Sequence, residues 1–232
     1  MEYFLKALII LYIYLVPISV VLKTKQSGIA FIISLVSAVI GFLILKMPKV
    51  KGYFGERSIR KKLEKLDNEE YVVINDITLP TEKGTTQIDH IIVSIYGIFV
   101  IETKNYSGWI FGDEKSDKWT QVIYKNKEHF HNPTHQNYGH IMALKNILYD
   151  MPNLKYISIV AFSPNCDLKV KVTSSVIYST QILKELAKYK ETVISIKEAT
   201  DIYNKLMEIS ITDKDEKRNI YIGLKKIYMK KN

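Results

Sequence analysis

Cysteine is nearly absent from this 232-residue chain: Cys166 stands alone, which excludes an intramolecular disulfide and every Cys-based zinc site. Such usage suits a reducing compartment. Internal repeats and low-complexity segments are missing too. With 47% apolar and 25% charged residues, the chain is neither disordered nor fibrous. Its glycines never fall into the strand–GxxxxGK[ST]–helix pattern, so nucleoside triphosphate binding has no support. Acidic residues are almost absent from the first 51 positions, where Glu2 alone faces Lys6, Lys23, Lys25, Lys46, Lys49 and Lys51. That segment contributes +5 of the formal charge of +9, and the remaining +4 is ordinary for a globular domain. Net charge therefore says little about a nucleic-acid partner.

Two long apolar runs open the chain, at 4–22 and 29–45. Runs of this length cross about 30 Å of hydrocarbon at 1.5 Å per residue. Lys6 can snorkel to the headgroups and Pro17 is tolerated in a membrane helix. A cleaved signal peptide is the alternative for the first run. That run is long for an h-region, and Leu22-Lys23-Thr24-Lys25 is a poor cleavage site. The short connector Lys23 to Gly28 predicts a helical hairpin over residues 1–50. The basic cluster after it (Lys46, Lys49, Lys51, Arg57, Arg60, Lys61, Lys62) predicts that the N-terminus and the following domain are cytoplasmic. The expectation is an integral membrane protein, with the lipid bilayer as one partner.

The rest, 51–210 with a basic tail at 211–232, reads as α/β. Phe54 to Leu66 is an expected helix, with Ile59, Leu63 and Leu66 on one stripe. Expected strands are Tyr71 to Thr78, stopping at Leu79-Pro80, then Gln87 to Val93 and Ile98 to Lys104, a hairpin around Ser94-Ile95-Tyr96-Gly97. Trp109 to Gly112 and Trp119 to Tyr124 follow as short strands. Asn132-Pro133 predicts a helix start, running to Tyr149. Tyr156 to Phe162 is an apolar run expected of a strand covered on both faces. Val176 to Tyr178 and Val193 to Ile196 are further expected strands, each followed by a helix. The fold class is a mixed sheet flanked by helices, behind the transmembrane hairpin.

The chemistry gathers in the hairpin from Gln87 to Lys104. If its turn is symmetric about Ile95 and Tyr96, Ser94 pairs with Gly97, Asp89 lies opposite Glu102, and Gln87 opposite Lys104. Alternation then puts Asp89, Ile91 and Val93 on one face with Ile98, Val100, Glu102 and Lys104. Directly opposed carboxylates, with Cβ atoms roughly 5 Å apart, destabilise a strand pair unless a cation lies between them. Mg²⁺ suits such a pair, since it takes one or two carboxylates and keeps several waters. A bulge at Gly97 would shift the register by one and spoil the pairing. The bland alternative is an ordinary exposed Glu102–Lys104 ion pair, with Asp89 ending its strand.

Several motifs in order carry a family resemblance: Gly55-Glu56 on the first helix, TTQIDHIIVS at 85–94, GIFVIETKNYSGWIFG at 97–112, then Trp119 and NPTHQN at 132–137. Over roughly 52–150 this resembles the NERD family, the nuclease-related domain grouped with PD-(D/E)xK nucleases. The resemblance implies a restriction-endonuclease-like fold and Mg²⁺ or Mn²⁺ held by Asp89, Glu102 and the Thr103 carbonyl. It further implies that Lys104 orients the attacking water, that Glu56 supports the metal site, and that Gln136 touches the metal water or the substrate backbone. RecB-like nucleases carry Q-x-x-x-Y on that helix; here the motif reads Gln136 to His140, a departure at the fourth position. Glu56 has an alternative as a first-turn acid and Gln136 as a solvated helix residue.

Other groups have duller readings. His129, His131, His135 and His140 cluster near the second helix, but without Cys or a metalloprotease motif they do not read as a zinc site. Trp109, Phe111, Trp119 and Tyr124 can stack on bases, although packing at the sheet edge is the expectation. The tail, with Ile220, Leu224 and Ile227 among Lys225, Lys226, Lys230 and Lys231, reads either as an amphipathic segment on anionic lipid or as one docked on the domain. The expected function is metal-dependent hydrolysis of DNA, or of RNA, at the cytoplasmic face. The runner-up is a module of the same fold that binds nucleic acid or protein without turnover.

Overall fold

The computed structural model describes residues 48–211 apart from Lys83 and Pro152, and the backbone alone for 48–51. The chain divides into two compact units, Met1–Tyr53 and Phe54–Asn232, and the second carries everything below. The expected membrane spans at 4–22 and 29–45 and the tail beyond Ile211 lie outside the described residues. Among the described residues no helix is long and apolar enough to cross a membrane.

The elements are α1 (Pro48–Leu63), β1 (Tyr71–Thr81), β2 (Gly84–Ser94), β3 (Gly97–Lys104), β4 (Gly108–Asp113), β5 (Lys118–Ile123), β6 (Asn126–His131), α2 (Pro133–Ile147), β7 (Tyr156–Phe162), β8 (Cys166–Lys171), β9 (Ser175–Tyr178), a 3-10 turn (Ser179–Gln181), α3 (Ile182–Leu186) and α4 (Ile196–Ile209). They form two mixed sheets flanked by helices, ordered β1-β2-β3-β7-β9 and β6-β5-β4-β8. A single sheet was expected. β1, β2 and β3 are antiparallel, and β7 and β9 then add in parallel.

Alternation sorts the first sheet's side chains into two cores. Ile92, Phe99 and Ile101 face Ile59 and Leu63 of α1 and Ile182 and Leu186 of α3. Ile91, Val93, Ile98 and Val100 face Leu144 of α2 and Ile202 and Leu206 of α4. Burial on both faces explains why β2, β3 and β7 read as continuous apolar runs. Asn137 pins α2 to this sheet, its amide donating to the Val100 carbonyl and to Ser158 Oγ at 2.8 Å each.

The second sheet grows out of the first. β3 pairs with β7 in parallel and β4 with β8 in parallel, and in both ladders each partner lies 58 residues on: Ile98 with Tyr156, Gly108 with Cys166. Between the ladders the Ser163 amide donates to the Lys104 carbonyl at 2.8 Å. A third core closes the junction, where the Trp119 indole stacks on Phe162 at 6.0 Å between ring centres. The backbone of Gly112 runs against that indole so closely that an added Cβ would fall 2.4 Å from it.

Some local expectations fail. Val193–Ile196 is no strand: the Val193 and Ile194 amides both donate to the Ile95 carbonyl, and Ser195 caps α4 reciprocally with Glu198. β1 runs through Pro80 to Thr81, because β1 is an edge strand where a missing N–H costs little. α2 starts as expected, with Asn132 Oδ1 accepting from the Thr134 amide, but ends at Ile147. β6 and β8 were not anticipated.

Candidate active site

The β2–β3 turn sets the register of the site. Ser94 pairs with Gly97 and the ladder continues to His90 opposite Ile101, so no bulge intervenes despite the φ of +126° at Gly97. One step further puts Asp89 level with Glu102. There the ladder opens, and the Thr103 amide donates to Asp89 Oδ2 at 2.7 Å. In an antiparallel pair a residue's N–H and C=O point the same way, so the Thr103 carbonyl faces the same opening.

Glu102 is buried and held from two sides. Lys104 Nζ lies 2.7 Å from its Oε1, and His140 Nε2 lies 3.2 Å from its Oε2. A carboxylate only accepts, so His140 donates from Nε2, and its Nδ1 meets Thr86 Oγ1 at 2.8 Å. Lys104 also donates to Gln136 Oε1 at 3.0 Å. Gln136 and His140, one turn apart on α2, thus each orient one member of the E-x-K motif. The ordinary-ion-pair alternative fails on one point: this Glu102–Lys104 pair is not exposed.

Glu56 reaches the same end of the sheet from α1. Gly55 is what lets the helix approach, since a Cβ there would fall 2.8 Å from Asn105 Cβ. Burial, followed by the charges of Asp76 and Glu102, holds the Glu56 carboxyl above the usual range. Asp76 was missed by the sequence reading. Its neighbours pair as Asn75 with His90 and Ile77 with Ile88, so Asp76 stands level with Asp89, at a φ of +54° that non-glycine residues seldom adopt. Gln87 Nε2 donates to its carboxylate. An Asp interrupting the β-rich run Tyr71 to Thr78 was the available signal.

Asp89, Glu102 and Glu56 therefore gather around Lys104, with Asp76 and Arg60 acting on Glu56 from the side. Two carboxylates roughly 5 Å apart repel by about 3 kcal/mol at an effective dielectric of about 20. Burial and then the Glu102 charge push the Asp89 carboxyl up to about 8, against the Thr103 amide that lowers it. Glu102 moves the other way: burial raises it, but the His140 hydrogen bond and the Lys104 charge outweigh that and hold it low. Asp89, Glu102 and the Thr103 carbonyl are hard oxygen donors, a set that fits Mg²⁺ or Mn²⁺ with waters completing the shell. They do not form a closed cage, for among the described residues no group of three or more His, Cys, Asp or Glu is placed to hold a metal ion.

The zinc alternative gains nothing. His131 and His135 have ring centres 6.5 Å apart, His129 meets Thr120 Oγ1, and His140 belongs to Glu102. Of the four aromatic candidates Trp119 is buried, whereas Trp109, Phe111 and Tyr124 are exposed.

The model of the nuclease-related domain family matches residues 51–163. An uncharacterized protein of Bacillus anthracis is 43% identical over 180 residues, covering 75% of this chain and 84% of that protein. No solved structure matches. The matched region takes in α1, both β-meanders, α2 and β7, and the relative is aligned over most of its length, so the chain belongs to the nuclease-related domain, or NERD, family.

Proposed function

We propose that this protein is a divalent-metal-dependent nuclease that hydrolyses phosphodiester bonds at the cytoplasmic face of a bacterial membrane, tethered by its two N-terminal apolar runs. The observation that supports it is the row of Asp89 and Glu102 at the open end of the β2–β3 hairpin, with Lys104 beside them. Asp89, Glu102 and the Thr103 carbonyl would hold Mg²⁺ or Mn²⁺. A cation bound there supplies Lewis acidity toward a phosphodiester and lowers the pKa of a water molecule. Lys104 is the donor for that water or for a non-bridging phosphate oxygen, and Gln136 keeps its ammonium aimed along the sheet. His140 fixes the rotamer of Glu102, and Thr86 fixes the tautomer of His140. Glu56, whose carboxyl burial holds above the usual range, would support the metal site from α1.

The test is cleavage of supercoiled, linear and single-stranded DNA and of RNA by the purified full-length chain with Mg²⁺ or Mn²⁺, beside Glu102→Ala and Lys104→Ala. Metal-dependent cutting that both substitutions reduce at least 10³-fold is the expected outcome. A folded protein that neither cuts nor binds metal would overturn the reading. A second reading, a binding module without turnover, is favoured by one observation: Glu102 already satisfies both oxygens with Lys104 and His140.

A further inference from the structure

The second sheet has one buried face and one open face. Ile110, Trp119, Phe130, Leu168 and Val170 point toward the first sheet. By alternation, the ladders β8–β4–β5–β6 present the opposite residues as three rows: Asp167, Trp109, Val122, Lys127; then Lys169, Phe111, Thr120, His129; then Lys171, Asp113, Lys118, His131. The two aromatic rings are uncovered, Trp109 at 53% exposure and Phe111 at 39%. Large aromatics left in water on the centre of a sheet are unusual for core-forming side chains.

Charge decides what this face fits. Lysines stand on both sides of the aromatic column, Lys169 and Lys171 on β8, Lys118 on β5 and Lys127 on β6. The opposing acids are partly spent. Asp167 pairs with Lys169 at 3.0 Å, and Asp113 Oδ1 accepts from the Lys115 and Ser116 amides. Lys169 Nζ also lies 5.5 Å over the Trp109 ring. At one end of the column a cavity of about 440 Å³ is lined by Gly108, Trp109, Val122 and Tyr124 among others. Tyr124 is 98% exposed at the tip of the β5–β6 turn.

We propose that this face is a binding platform for single-stranded nucleic acid, on which successive bases stack on Trp109, Phe111 and, at the cavity, Tyr124, while the flanking lysines neutralise phosphates. The two rings, on residues two apart on one strand, have centres 6.4 Å apart and stand nearly perpendicular. Rings set this way take bases that have left their stack and have nothing to offer a duplex, whose base faces are closed. The platform deepens the nuclease reading by naming its substrate class, and it rests on that reading for its connection to cleavage. That connection is short, because His131 ends β6 and Gln136 stands in the first turn of the helix that follows.

The experiment is fluorescence anisotropy of labelled oligothymidine, oligouridine and a matched duplex with the full-length chain in EDTA, where no cleavage intervenes. Oligothymidine or oligouridine should bind at least tenfold more tightly than duplex. Trp109→Ala and Phe111→Ala should each weaken single-strand binding about tenfold, Trp109→Phe should restore it, and the near-UV signal of Trp119 should not change. The log–log salt slope should be about −2, from Lys118, Lys127 and Lys171, since Lys169 is paired with Asp167. Single-strand binding lost in the alanine variants supports the platform even if no cleavage is ever seen. Cleavage that persists while the chain binds duplex as well as single strands, or while Trp109→Ala binds like wild type, overturns the platform and leaves the nuclease reading standing. Binding of phosphatidylglycerol vesicles through Trp109 without oligonucleotide binding would overturn it in favour of a lipid-facing surface.

Discussion

Replacing Asp89 by Asn should stabilise the protein when divalent cations are withheld. The folded Asp89 carboxyl titrates at about 8, whereas an unfolded one titrates near 3.9. A carboxyl raised on folding contributes stability that is intact below about pH 4 and is lost as pH rises to the folded value, because the unfolded chain releases its proton first. At pH 7 that is about 3 pH units at about 1.4 kcal/mol each, or about 4 kcal/mol. Asn carries no proton to lose, and its Oδ1 can still accept from the Thr103 amide. Glu102, held low, contributes in the opposite sense in both proteins and cancels to first order. Urea denaturation in EDTA, followed by the fluorescence of the buried Trp119, should show the variant ahead. Its lead should widen by about 1.4 kcal/mol per pH unit between pH 5 and pH 8, and Mg²⁺ should close it by stabilising only the wild type. A lead that stays flat with pH, or a variant weaker than wild type at pH 8, would show that Asp89 is ionised and paired in the metal-free fold.

Further substitutions probe the framework. Gly112→Ala drives a methyl group into the Trp119 indole and should cost about 3 kcal/mol, read as a lower urea midpoint with loss of the near-UV signal of the Trp119–Phe162 stack. Asn137→Ala removes the hydrogen bonds to Val100 and Ser158 and should cost about 3 kcal/mol by the same assay, without a local change at Trp119. His140→Ala removes the hydrogen bond that fixes the rotamer of Glu102 and should weaken Mg²⁺ or Mn²⁺ binding about 10- to 100-fold by calorimetry, with the far-UV spectrum unchanged.

What was legible in the sequence depended on whether a short-range rule decided it. A two-residue turn fixes the register of its hairpin, so the juxtaposition of Asp89 with Glu102 and the common face with Lys104 follow from residues 87–104 alone. Asn132-Pro133 likewise announces α2 through a local cap. Asp76 escaped because Pro80 made β1 read as ending at Thr78, so the Thr81–Gly84 pair that sets the β1–β2 register was not expected. The second sheet escaped because Asn126–His131 and Cys166–Lys171 are half-exposed and rich in charge, and a strand with one open face carries few apolar positions. The pattern Trp109-Ile110-Phe111 showed that the two rings share a face, but not which face is covered. That depends on Trp119 and Phe162, which approach only when the sheets meet.

The shared 58-residue offset of the β3–β7 and β4–β8 ladders constrains how this family can change in length. Segments 98–113 and 156–171 form one parallel ribbon that bends between the sheets, with three residues at the bend on each side. An insertion or deletion in Asn105–Ser107 alone would throw β4 out of step with β8 while β3 stayed in step with β7. Such changes are therefore tolerated only in matched pairs, with a compensating change in Ser163–Asn165. The β4–β5 turn is held by Asn132, which donates to the Glu114 and Ser116 carbonyls, whereas the β5–β6 turn lies outside the ribbon and is free to lengthen, so variation among relatives should concentrate at that tip and spare the bend.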